Sequence, residues 1–358
     1  MKLVKRLAPV FALPLVAFFL FASAAATTTS TTHKSAGGKL NVVAMDGALV
    51  AYDIGNAVLV SGRGNKVIVW NVLTGKTTKV SGRITDQADG SSTGHGVREL
   101  AIAGQRVAWI INQGGNTESD DYLYTSLLAK PAEKKLASAR RTGDVMGVLT
   151  GNWIGGLVGS ESLLAVNRWA TDATGTVTTV GLSVIGAYNL RRVASGSATP
   201  LAQSADAGRI AVLRSDGSVG LYSATGRSLW TATPASAQQV VVQGNHLVVL
   251  TKTRTLAVYN SHTGSLLKTL PVRGRSPQNL DLQANVAIYT VGRELHVVHL
   301  KTGKDRVLAT MSQAIKFAPM FAQIEASGVV YAGNVRQGTK TLGTLTYLPF
   351  ARVAAAVS

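Results

Sequence analysis

Hydrophobic and polar positions along this chain group into short apolar runs separated by turn residues. The clearest example is residues 240–270, where runs at 240–242, 246–250, 255–259 and a weaker one at 266–270 are separated by Gly244-Asn245, residues 252–254 and Thr263-Gly264. Runs of this length bounded by such turns predict four antiparallel strands in a meander. One sheet of that size cannot bury both faces, so it needs neighbours of its own kind.

The pattern supplies them. Sets of four are predicted at 48–54, 57–60, 66–73 and 76–80; at 97–103, 105–111, 121–128 and 134–137; and at 152–158, 162–170, 176–185 and 189–194. Further sets lie at 201–204, 209–214, 218–223 and 228–232, and at 279–282, 286–291, 294–300 and 306–309. The last set has three strands, 315–324, 329–334 and 341–348, while a spare strand at 39–46 precedes the first. The tail at 351–357 is apolar enough to pack but carries no strong strand signal, and no segment holds a 3.6-residue apolar period over a helix's length. The expectation is an all-β fold: a seven-bladed β-propeller of four-stranded antiparallel blades over residues 39–358, the last blade closed by the N-terminal strand at 39–46. Eight blades is the rival count, because residues 83–200 leave room for another irregular blade.

The turn before the outer strand recurs as Thr74-Gly75, Thr225-Gly226, Thr263-Gly264 and Thr302-Gly303. With the flanking LYSATGRSLW (221–230) and AVYNSHTGSLL (257–267), this resembles the repeat of quinoprotein-like and WD-like propellers. The chain also resembles secreted propellers of actinobacterial type. The repeat implies an aromatic residue after Thr-Gly that docks between blades; Trp230 fits, with Leu267 and Val307 standing in elsewhere. Quinoprotein chemistry would imply vicinal cysteines and a calcium-bound quinone. The chain has no cysteine, and no acidic cluster is evident on the innermost strands, so that chemistry is not carried over.

The 37 glycines against nine prolines suit many tight turns, and 46% hydrophobic content is ample for a core. Without cysteine there are no disulfides, thiolate metal sites or cysteine nucleophiles. Residues 1–26 read as a signal peptide: a basic start, an apolar run at 7–21 and small residues at 22–24. Residues 27–38 read as a Thr-rich spacer. The expectation is an extracytoplasmic protein of a bacterial cell envelope, with no nucleic-acid partner and membrane contact only through an uncleaved leader. A formal net charge of +18 points to an envelope protein or anionic polymer as the partner of a monomeric chain.

Candidate sites are few. Glu118, Asp120 and Asp121 form a dense acidic group whose oxygens could hold calcium, the one cofactor suggested, although their spacing is not that of a calcium loop. Asp86, Asp89 and His95 lie on a linker where a ligand could bind or acid–base chemistry occur. His296 and His299 are three positions apart on one strand and so face opposite ways. The five tryptophans read as packing residues. No catalytic residues are assigned. The expected function is therefore a non-enzymatic binding or scaffold propeller, with an extracellular hydrolase or lyase at the channel mouth as the alternative.

Overall fold

The computed structural model describes residues 31–55, 66–81, 95–114, 117–143, 149–196, 200–311 and 320–358. It begins with β1 (Thr32–Ser35), followed by the first four-stranded sheet, β2–β5 (Val43–Asp46, Leu49–Ile54, Lys66–Asn71, Thr77–Lys79). Strands β6–β9 (His95–Ala103, Arg106–Gly114, Glu118–Leu127, Lys134–Gly143) come next. They continue into β10–β13 (Leu149–Ser160, Leu163–Thr171, Val177–Ile185, Leu190–Gly196). Four-stranded sheets follow as β14–β17 (Pro200–Asp206, Arg209–Arg214, Val219–Ser223, Ser228–Ala232) and β18–β21 (Ala237–Gln243, His246–Thr251, Thr255–Asn260, Leu266–Pro271). Another is β22–β25 (Gln278–Gln283, Val286–Val291, Glu294–His299, Asp305–Thr310). The chain ends in β26–β28 (Phe321–Glu325, Gly328–Gln337, Lys340–Pro349) and helix α1 (Phe350–Val357).

The sheets stand radially round a channel. Strands β2, β6, β10, β14, β18, β22 and β26 line it, and each lies beside the next until β26 meets β2. Every sheet packs both faces against its neighbours, so apolar cores lie between successive sheets. Leu247, Val249 and Tyr259, for instance, meet Ala211, Val219 and Leu221 of the preceding sheet. That is why the second strands read as unbroken apolar runs: β19 and β23 are buried along nearly their whole length, whereas outermost β21 alternates.

The expected seven four-stranded blades are not what forms, nor are eight. The ring has five four-stranded blades, and β6–β13 make one continuous eight-stranded sheet. The cause is strand length. β9 and β10 run ten and twelve residues, past the ends expected for them, and their overhanging ends pair as Gly143↔Leu149, Thr142↔Thr150 and Arg141↔Gly151.

The closing strand also differs from expectation. Val43–Asp46 belongs to the first blade, as its innermost strand. The strand that completes the last sheet is β1, from within the Thr-rich segment, which pairs Thr32–Ser35 with Thr344–Tyr347 of β28. A polar strand suits this place, an outer edge with one half-exposed face. Leu40 still touches that sheet through both backbone groups: its N–H donates to Asn334 Oδ1 (2.8 Å) and its carbonyl accepts from Asn334 Nδ2 (2.8 Å).

The tail is helical rather than irregular. α1 buries Val353 and Val357 against β24, β25, β27 and β28, and Arg352 reaches back to the Thr31 hydroxyl. Its eight residues are too few for the periodicity to stand out.

Candidate functional site

Each innermost strand ends in a two-residue hairpin turn, and these turns gather at one end of the channel. Positive φ falls on the first turn residue at Gly47, Gly104, Glu161, Ala207, Gly244 and Ala284. The residue before the turn is Asp46, Asp206, Gln243, Gln283 or Glu325 in five of the hairpins. Asp46, Asp206 and Gln243 reach the next hairpin. Asp206 Oδ2 accepts the Gly244 N–H at 2.8 Å and Gln243 Oε1 accepts the Ala284 N–H at 2.8 Å. Asp46 accepts from Gly104 through Oδ2 and from Glu161 N–H through Oδ1 (2.8 Å), covering the step where Ala103 has no acceptor.

Deeper in the channel a second ring works the same way. Glu99 Oε2 accepts the Leu157 N–H (2.8 Å), Asn167 Oδ1 that of Ala202 (2.7 Å), and Ser204 Oγ that of Val242 (3.2 Å). Gln239 Oε1 accepts from Leu280 (2.9 Å), Asp281 Oδ2 from Ile324 (2.8 Å), and Gln323 Oε1 from Met45. Adjacent sheets share no strand pairing there, so the inner strands' inward N–H groups need side-chain acceptors. Five of these acceptors lie on innermost strands and Asn167 on the second strand of its set, β11. Nothing in the sequence marks which N–H each would meet.

The channel encloses about 350 Å³ and is acidic within a basic protein. Acids do line the channel from the innermost strands, contrary to the sequence reading: Asp206, Asp281 and Glu325 among them. Burial pushes the Asp281 carboxyl up to about 7 against its backbone hydrogen bonds. Glu325 is pushed up to about 9, first by burial and then by the charges of Asp281, Asp46 and Asp206. Asp206 is held instead by Arg209, 2.7 Å away.

The residues singled out from sequence are placed differently. Asp86 and Asp89 lie outside the described residues; His95 begins β6, its backbone paired with Gln113. Strand alternation in β8 separates the acidic group. Glu118 and Asp120 face outward, to Arg140 and to the Tyr122 hydroxyl (3.2 Å), whereas Asp121 is buried. Asp121 is gripped by Arg141 through both terminal guanidinium nitrogens, by Arg98 (3.1 Å) and by Asn112 Nδ2 (2.9 Å). Among the described residues no three His, Cys, Asp or Glu side chains come together as a metal site. His296 is buried against Tyr289 with Nδ1 3.2 Å from Asp305, while His299 faces away and accepts the Thr302 N–H (3.1 Å).

The tryptophans divide. Trp70 and Trp109 are buried in cores. Trp230 docks between blades, its indole N–H donating to Ser261 O (2.8 Å) and its ring lying over Gly264. Leu267 and Val307 do not take that role and are about half exposed. Lys268, four residues after Gly264 as Trp230 is after Gly226, reaches the next blade with its ammonium on Lys301 O (2.9 Å). Trp153 and Trp169 pair across β10 and β11 with parallel rings 5.7 Å apart and line an open cleft of about 370 Å³ with Arg98, Glu99 and Gln203.

Two solved structures share this architecture at low identity. A chain of the mitotic checkpoint complex is 13% identical with a TM-score of 0.51, the match covering 96% of this chain and 98% of that one. The WD40 β-propeller domain of Doa1 is 14% identical, also with a TM-score of 0.51, covering 91% and 98%. The fold is a β-propeller, similar to that of a WD40 propeller domain. No protein-family model and no curated protein matches the sequence. Likeness at this identity concerns the propeller's architecture and leaves its activity to the site.

Proposed function

We propose that this WD40-like propeller is a non-enzymatic binding scaffold that presents its turns and loops to a protein partner. The observation that carries the reading is the use made of polar side chains around the ring. Asn167, Ser204, Gln239, Asp281 and Gln323 are each engaged by a backbone N–H of the adjacent sheet, and Glu99 by that of Leu157 within the eight-stranded sheet. Groups held this way make a rigid ring, and rigidity lowers the ordering cost of binding. The net charge of +18 favours an acidic protein or anionic envelope polymer, and the leader at 1–26 favours export to that envelope. The test is retention of residues 27–358 on envelope extracts. An acidic protein should be captured near 50 mM salt and released by roughly 500 mM, where screening is short-ranged. No retention at low salt would count against the scaffold.

One observation favours the alternative, an extracellular hydrolase or lyase at the channel mouth. Burial, and then the charges of Asp281, Asp46 and Asp206, raise Glu325 to about 9, so it can serve as a protonated acid at the channel mouth. Hydrolysis of envelope polymer lost in Glu325→Gln would establish that reading in place of the scaffold.

A further inference from the structure

The cleft at the start of β6, β10 and β14 has a chemistry the scaffold reading does not use. Its floor is built for close approach. A side chain at Gly155 would meet Glu99 Oε1 at 3.0 Å and the Trp169 ring at 3.1 Å. At Gly156, with φ +64°, it would meet the Ala202 N–H and Asn167 Oδ1 at 3.0 Å. Glycine lets the indoles and the carboxylate lie against the strand. The Trp pair is fixed from behind: the Arg141 guanidinium stacks on Trp153 at 4.1 Å, and the Trp153 N–H donates to Thr171 Oγ1 (3.1 Å). Arg141 is itself locked onto buried Asp121. Two half-buried rings, held rigidly in an open cleft, expose apolar surface that water covers poorly.

The polar edge decides what would cover it. Arg98 and Glu99 stand side by side, 3.4 Å apart, and both line the cleft with the Gln203 amide. Glu99 Oε2 is taken by the Leu157 N–H, leaving Oε1 toward the cleft floor. Arg98 Nε is buried without a hydrogen-bond partner. This edge has both donors and acceptors and no net charge. An anion would face Glu99, a cation would face Arg98, and either would leave one of the pair unmatched. Arg98 already donates to Asp121 and to the Ile154 carbonyl, so a ligand with a flat C–H face for the indoles and hydroxyls that both donate and accept at its rim matches the donors and acceptors this edge leaves over.

We propose that this cleft binds a neutral pyranose ring of a carbohydrate, stacked on the Trp153–Trp169 pair with its hydroxyls on Glu99, Arg98 and Gln203. The site does not depend on the protein-scaffold reading. Its ligand is uncharged, so binding persists at salt concentrations that would release an acidic partner.

The experiment is titration of the folded protein with cellotriose, maltotriose and chitotriose, read by tryptophan fluorescence and calorimetry at about 50 and 500 mM salt. At least one should bind with a Kd in the millimolar range or tighter at both salts, weakened at least about tenfold by Trp169→Ala. Gln203→Ala, at the cleft rim, should weaken it several-fold with an unchanged melting temperature, which separates loss of the site from loss of the fold. Absence of any binding near 10 mM sugar, or binding untouched by both variants, would overturn the proposal. So would a charged peptide that displaces nothing but is itself lost in Trp169→Ala, because the cleft would then be a protein site.

Discussion

The Asp281 carboxylate accepts the backbone N–H of Ile324 at 2.8 Å, joining two sheets whose inner strands share no ladder. Burial, against its backbone hydrogen bonds, raises its protonation. Asp281→Ala should lower unfolding free energy by about 1–3 kcal/mol, the cost of an unsatisfied buried N–H. Asp281→Asn, which keeps an acceptor, should be near neutral. Urea denaturation of the pair checks this.

Raised carboxyl pKa values also give the protein a pH dependence. Asp281 at about 7 and Glu325 at about 9 hold protons in the folded state that the unfolded chain releases near 4. The folded state therefore binds more protons across that interval, and stability falls as pH rises from about 4 toward 9. Glu325→Gln should flatten the upper part of this decline, from about pH 7 to 9, in melting temperatures measured across pH.

Two acidic residues three positions apart in β8 should behave oppositely. Asp121→Ala leaves Arg141, only 2% exposed, without its counter-ion and should cost about 3–5 kcal/mol. Glu118→Ala removes an exposed pair with Arg140, both side chains 61% exposed, and should cost less than about 1 kcal/mol. Calcium should leave the wild-type melting temperature unchanged, because Asp121 is held by arginines on the face opposite Glu118 and Asp120. A calcium-dependent rise would contradict this placement.

Closure of the ring predicts a third kind of effect. Removing residues 27–36 strips β1 from β28 and exposes the Lys340–Pro349 edge. The truncated protein should melt earlier and form higher-order species by gel filtration, since an unpaired edge templates association.

Between blades, Gly264 and Trp230 form a matched pair. Gly264→Ala would put a methyl group 3.0 Å from the indole at φ +73°, so it should be destabilising by more than Gly47→Ala, whose turn has open space around it. Trp230→Ala should cost about 3–5 kcal/mol by loss of packing. Thermal denaturation of the three variants orders them.

Much of this was legible along the chain. Residues 240–270 show their four strands directly, because strands buried on both faces must be apolar throughout and polar turns break them. Thr263-Gly264 and Trp230 mark a junction between blades for the same local reason: positive φ and a bulky ring leave few residue choices. The alternation that parts Asp121 from Glu118 and Asp120 is local too.

Contacts between distant segments were not legible. Whether β9 and β10 stop short or join depends on how far their ends overhang, which is set by neighbouring sheets rather than by residues 134–160 alone. The closing strand could have been 39–46 or Thr32–Ser35; both can extend, and the ring's geometry selected the more polar one for an exposed edge. The acceptors Glu99, Gln239, Asp281 and Gln323 look like ordinary surface residues until the sheets stand side by side. The sequence determined the sheets, because apolar period and turn chemistry act within a few residues. Only the tertiary structure decided how the sheets join, close and satisfy one another's amides, because those partners meet across forty to three hundred residues.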